Sequence, residues 1–202
     1  MVAQVQAFVP VNANVMSPVM VNVGTPNVSG ASGIAQSVDG LSIVEYGTDH
    51  IHSTVFTFTN MALTVRDTQV GGGVKIYQFP KGKISRLGAS MNTTITTASA
   101  IASTLKSGVT GNHGLGSTTQ ASATLATTEQ DFVQVTNFTS STTINVAPAA
   151  VIAYGVASVT LLDGSSTAIN LFFNIAVATA TDIDADASVL INGEATVHWI
   201  KL

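Results

Sequence analysis

Asp182, Asp184 and Asp186 alternate in the stretch DIDAD and form the densest set of potential ligands in the chain. Three carboxylates so close repel one another and would welcome a cation. A calcium loop of the EF-hand type needs glycine at its sixth position and glutamate at its twelfth. Those positions hold Ala187 and Gly193, with Glu194 one place late, so a turn between two strands is the expectation. His50 and His52 would share one face of a strand, and with Asp49 they could seed a metal site. No further ligand is evident, and the start of a strand at a domain edge explains the pair as well. His113 could be combined with a serine and an aspartate into a hydrolase triad. Serines are too numerous for that to carry information, and no G-x-S-x-G elbow occurs. GNHGLG at 111–116 lacks the order of a dinucleotide fingerprint and any surrounding βαβ pattern, and reads as a loop. The glycines at 71–73 read as a turn ahead of the strand VKIYQF. The expectation is therefore no enzyme, no resident metal and no cofactor.

The composition favours sheet over chemistry. Charged residues make up 9% of the 202, while 27 are threonine and none is cysteine. Threonine suits a pleated surface through its branched Cβ, and its hydroxyl hydrates that surface without charge. The absence of cysteine removes thiol catalysis, Cys–zinc sites and disulfides together, and fits assembly in a reducing cytoplasm. No window approaches 18 uninterrupted apolar residues, so no membrane span is expected. The first basic residue is Arg66, which leaves the start without the positive region of a signal peptide.

The net charge of −4 is unevenly spread. Arg66, Lys75, Lys81, Lys83, Arg86 and Lys106 lie between 66 and 106 against the single acid Asp67. The flanking segments are acidic. A nucleic-acid reader would need a basic balance overall, so none is expected. A basic patch meeting an acidic protein neighbour is the better use, because complementary potentials orient partners.

Two regions differ in texture. In residues 1–40, Val5, Ala7, Val9, Val11, Ala13 and Val15 alternate with Gln4, Gln6, Asn12 and Asn14. Pro10, Pro18 and Pro26 interrupt this pattern, which predicts an extended N-terminal arm or edge strand. Such an arm would be ordered only against its own domain, a sister subunit or another partner, and Val5, Val9, Val11 and Val15 would face that partner. Residues 41–202 read as short strands with turn signals between them, the mark of a sandwich or barrel. Strands are expected over 53–66, 74–79, 92–97, 132–136, 142–147, 156–162, 168–178, 187–192 and 195–201. The clearest is 168–178, where Ile169, Leu171, Phe173, Ile175 and Val177 hold every odd position. Trp199, the only tryptophan, shares a face with Val197 and is expected to anchor the core with Phe173. The alanine-rich segment 98–106 reads as one short helix. The fold class expected is all-β: an antiparallel, jelly-roll-like β-sandwich with one short helix and an extended arm.

Three blocks carry a resemblance: GGGVKIYQFPKGKISRLGAS (71–90), SGVTGNHGLGSTTQASATLATTEQDFV (107–133) and TATDIDADASVLINGEATVHWIKL (179–202). They resemble small structural proteins of tailed bacteriophages, chiefly marine ones. The N-terminal forty residues do not share in the likeness. The resemblance implies a virion protein of the head, a decoration (cement) protein on the shell's outer face. Its partners would be the major capsid protein and itself, as a homotrimer. The basic residues Lys75, Lys81, Lys83 and Arg86 are the expected shell contact. Tail, baseplate or head-fibre subunits share this architecture, and a carbohydrate-binding jelly roll is a reading from another class.

Overall fold

Period-two alternation of apolar and hydroxyl or amide side chains sets both the strands and the face each one buries. The computed structural model describes residues 18–20, 33–47, 50–97, 109–139, 149–153, 161–183 and 187–202. The strands are β1 (Pro18–Met20), β2 (Ile34–Ala35), β3 (Leu41–Gly47), β4 (Ile51–Val65), β5 (Gly71–Gln78) and β6 (Gly82–Thr97). They continue with β7 (Thr110–Gly116), β8 (Val133–Thr139), β9 (Ala149–Ala153), β10 (Leu161–Gly164), β11 (Asn170–Val177) and β12 (Ala187–Lys201). Two 3-10 turns, Thr127–Glu129 and Ala180–Asp182, are the only helical elements among the described residues.

All pairings are antiparallel. The first sheet runs β1-β3-β4-β12-β6-β10, with β9 also on β6. The second runs β2-β5-β11-β7-β8. The pairs nest: β7 with β8, β6 with β9 and β10, β5 with β11, β4 with β12. One long antiparallel hairpin has thus been wound so that its successive pairs fall alternately in the two sheets. This is the jelly-roll order of the β-sandwich. The fold class expected from the sequence is the one observed.

The inner faces meet in one core. Phe58 of β4 packs edge-on against Phe173 of β11 at 5.5 Å, and Phe56 against Tyr77 of β5 at 5.6 Å. Phe173 and Trp199 are fully buried, as are Ile76, Leu171, Ile191 and Val197. The inward phase of β4 changes parity between Phe58 and Met61. There Asn60 has φ 52°, its N–H donates to Asn192 Oδ1 at 2.8 Å, and β12 shifts register between Ile191 and Gly193. This bulge lets one 15-residue strand replace the two expected over 187–192 and 195–201.

Other differences from the sequence reading are local. The glycines at 71–73 open β5 itself, and GNHGLG lies in β7. Parts of the 1–40 segment belong to the sheets: Pro18–Met20 pairs with Tyr46–Val44 of β3, and Ile34 and Ala35 pair with Gln78 and Tyr77. The expected helix at 98–106, the expected strand at 142–147 and Val5, Val9, Val11 and Val15 lie outside the described residues. No helix among the described residues is long and apolar enough to cross a membrane.

Candidate interaction surface

Two of the polar side chains singled out for chemistry, His52 and His113, are used inside the sandwich. His52 points inward from β4, its Nδ1 2.6 Å from Glu45 Oε1, and its ring stacks on Trp199 at 3.9 Å. Tyr77 donates its hydroxyl hydrogen to Glu45 Oε2 at 2.5 Å and accepts the N–H of Gly33 at 2.9 Å. Burial, and then the charge of Glu45, push the Tyr77 phenol well above its ordinary range. Trp199 Nε1 donates to Thr54 Oγ1 at 2.9 Å. This network ties the segment before β2 into the core, and His50 remains outside it on the surface. Asp49, Asp184 and Asp186 lie outside the described residues, and Asp182 accepts the Thr179 N–H at 3.0 Å to close a 3-10 turn. Among the described residues no three His, Cys, Asp or Glu converge as metal ligands.

His113 is fully buried on β7, stacked on Phe173 with ring centroids 6.0 Å apart. Its Nε2 shares a 3.1 Å hydrogen bond with Thr93 Oγ1. Burial lowers its pKa to about 4, against the opposing pull of the Thr136 backbone. It is therefore neutral near pH 7, and among the described residues no serine hydroxyl is bonded to it.

The middle of the second sheet's outer face, over β7 and the centre of β11, is covered by the chain's own 117–132 loop, while Ile34 at its edge is 53% exposed. Buried Asn174 pins that loop: Oδ1 accepts the N–H of Gln120 at 2.9 Å, and Nδ2 donates to the carbonyls of Thr118 and Glu129 at 2.8 Å. Asn112 Oδ1 accepts the Leu125 N–H at 3.1 Å. The Glu129 carboxylate gathers the N–H groups of Ala121, Ser122 and Ala126 at 2.5, 3.0 and 2.9 Å. Burial alone would raise its pKa, but these donors outweigh burial and leave it below the usual range. Close approach needs small residues beneath the loop. A Cβ on Gly116 would lie 2.2 Å from the Glu129 backbone, and one on Gly73 would lie 2.6 Å from Thr119 Oγ1.

The first sheet has a different outer face. Along most of β4, β6 and β12 it presents Thr57, Thr59, Ala62, Thr64, Asn92 and Glu194, all exposed. One row near its end is apolar. Ile51 of β4 pairs with Ile200 of β12, Ile200 with Ser85 of β6, and Ser85 with Leu161 of β10. Ile51 and Leu161 are 50% and 48% exposed, and Leu87, at the register shift in β6, is 49% exposed. Ser85 is buried within this row, its hydroxyl unpartnered.

The four cations expected to act together are divided. Lys81 and Lys83 are exposed where β5 turns into β6, and Lys83 pairs in register with Asp163 of β10. Hydrogen bonds from Ser165, then the charge of Lys83, lower the Asp163 pKa. Lys75 lies on the second sheet, donating to Gln78 Oε1 at 2.9 Å. Arg86 faces inward opposite Trp199, its guanidinium 5.3 Å from the Phe132 ring centroid. Burial lowers its pKa and the charge of Asp131 counters that. Sequence reasoning missed the row of Ile51, Ile200 and Leu161. A signal existed in β12, where Ile200 takes the outward phase once Val197 and Trp199 define the inward one.

Compared with known proteins, the chain matches no family model, no curated sequence and no solved structure at a significant level.

Proposed function

We propose that this is a structural virion protein, a decoration (cement) protein that binds the outer face of a tailed-phage head and stabilises the shell. Its partners are the major capsid protein and itself, as a homotrimer assembled in the host cytoplasm and resident on the virion. The observation that carries the reading is the asymmetry of the sandwich. The 117–132 loop covers the middle of one sheet face, while the other displays an apolar row beside two exposed lysines. A charge-poor face of this kind loses little hydration when laid against protein, and exposed apolar patches mark interaction sites. The mechanism is mass action. A ligand that binds the mature shell and not its disassembled state stabilises it by RT ln(1 + [L]/Kd) at every site, and repetition over the lattice multiplies modest energies.

Copy number tests the reading. The protein is quantified by mass spectrometry in purified virions against the most abundant shell protein, with comparable abundance expected. A handful of copies would move the protein to the tail or a fibre, and absence from virions would end the virion reading.

A further inference from the structure

We propose that the Ile51–Ile200–Ser85–Leu161 row, with Leu87 on the same strand as Ser85 and Lys81 and Lys83 at its rim, docks onto a protein surface that is apolar at its centre and acidic around it. In the decoration reading, on which this inference rests, that surface belongs to the shell subunit.

The first argument is local contrast. The long strands of the first sheet turn mostly hydroxyl and amide groups outward, with Val55, Ala62 and Leu190 among them, and the row at its end sets three half-exposed aliphatic side chains together across neighbouring strands. Three half-exposed aliphatic side chains, Ile51, Leu161 and Leu87, expose apolar area on the order of 300 Å², within the range of the largest patch on a monomer, which is often functional. Ser85 adds a second mark. It sits in the outward phase of β6 yet is 4% exposed, and its hydroxyl has no hydrogen-bond partner among the described residues, so its neighbours already form a dry surface around it.

Charge selects the occupant. Lys81 and Lys83 lie at the end of this face, with Asp163 facing Lys83 across the strand pair, in a chain whose net charge is −4. A second copy laid on the row would bring a net positive rim against a net positive rim. A partner with carboxylates around an apolar centre satisfies both features, with desolvated contacts at the middle and steering charges outside.

The test uses the full chain, titrated onto heads assembled without it and read by co-sedimentation, with self-association followed by light scattering. Leu87→Glu with Leu161→Glu places two acids on half-exposed positions and is expected to weaken head binding roughly tenfold or more. Leu87→Ser with Leu161→Ser, checked for an unchanged denaturation midpoint, should weaken it in the same direction and guards against a folding defect. Thr57→Glu with Thr64→Glu, on the polar part of the same face, should bind as wild type. Wild-type affinity in both leucine pairs would overturn the inference and leave the decoration reading intact. Failure of the unmodified chain to bind heads would overturn both. A leucine pair that lowers the protein's own oligomeric mass while head affinity is unchanged would assign the row to a second copy, and overturn the occupant named here.

Discussion

Burial strips the His113 ring of water and holds its pKa at about 4, against 6.5 for the free side chain. Between those values the unfolded chain takes up a proton that the folded chain excludes, so the unfolded state gains as pH falls. The stability from this group is fully present above pH 6.5 and is lost progressively as pH drops through 6.5 toward 4, by about 3 kcal/mol in all. Urea denaturation at pH 7 and pH 4 should show that loss in wild type and its absence in His113→Gln. Equal pH dependence in the two proteins would refute it. Glu45 acts differently, as the shared acceptor for His52 and Tyr77. Glu45→Ala leaves two buried polar groups without their partner and should cost about 3–5 kcal/mol. Trp199→Ala should cost a similar amount, about 3–5 kcal/mol, through the cavity beneath His52 and Phe79. Each is checked by the shift in denaturant midpoint at constant m-value.

Among the elements, the 117–132 loop shows how a connection becomes part of the fold. Asn174 gives it three hydrogen bonds from the middle of β11, and Glu129 collects three of its amides. Asn174→Ala should destabilise by about 2–4 kcal/mol, since each lost bond also leaves a loop group unpaired. Hydrogen exchange would check this: amides of residues 118–130 should exchange faster while those of β4 and β12 stay protected. Uniform acceleration across the protein would instead make Asn174 a core residue without a loop-specific role. β4, β6 and β12 form the long-stranded centre of the first sheet, and the bulge in β4 at Asn60, opposite Asn192, keeps both halves of β4 facing the core.

At the scale of the molecule the two outer faces divide the work. The 117–132 loop covers the middle of the second sheet, and the first retains the apolar row and the lysine pair. Lys81→Glu with Lys83→Glu should weaken binding to heads and flatten its dependence on salt, because exposed charges steer association and are screened at high ionic strength. Folding stability should hardly change, both side chains being exposed. Unchanged head affinity across a salt series would remove these lysines from the contact.

What the sequence determined by itself was local. Period-two alternation marked 168–178 as a strand and placed Phe173 and Ile175 on its inner face. The abundance of threonine, with little charge and no cysteine, marked an all-β protein. β7 could not be read that way because it is buried on both faces, by core on one side and by the 117–132 loop on the other, so its glycines mimic a loop. Gly193 looked like a break between two strands, yet β12 runs through it in unbroken register with β6, which shows only when the two strands are paired. Only tertiary structure decided that Lys75 and Arg86 leave Lys81 and Lys83, since sheet assignment and strand phase separate residues that are close along the chain. It alone assembled Glu45, His52 and Tyr77, and set Ile51, Ser85, Leu161 and Ile200 in one row. Those groupings follow from pairing register between distant strands, and register is fixed by burying all the inner faces at once.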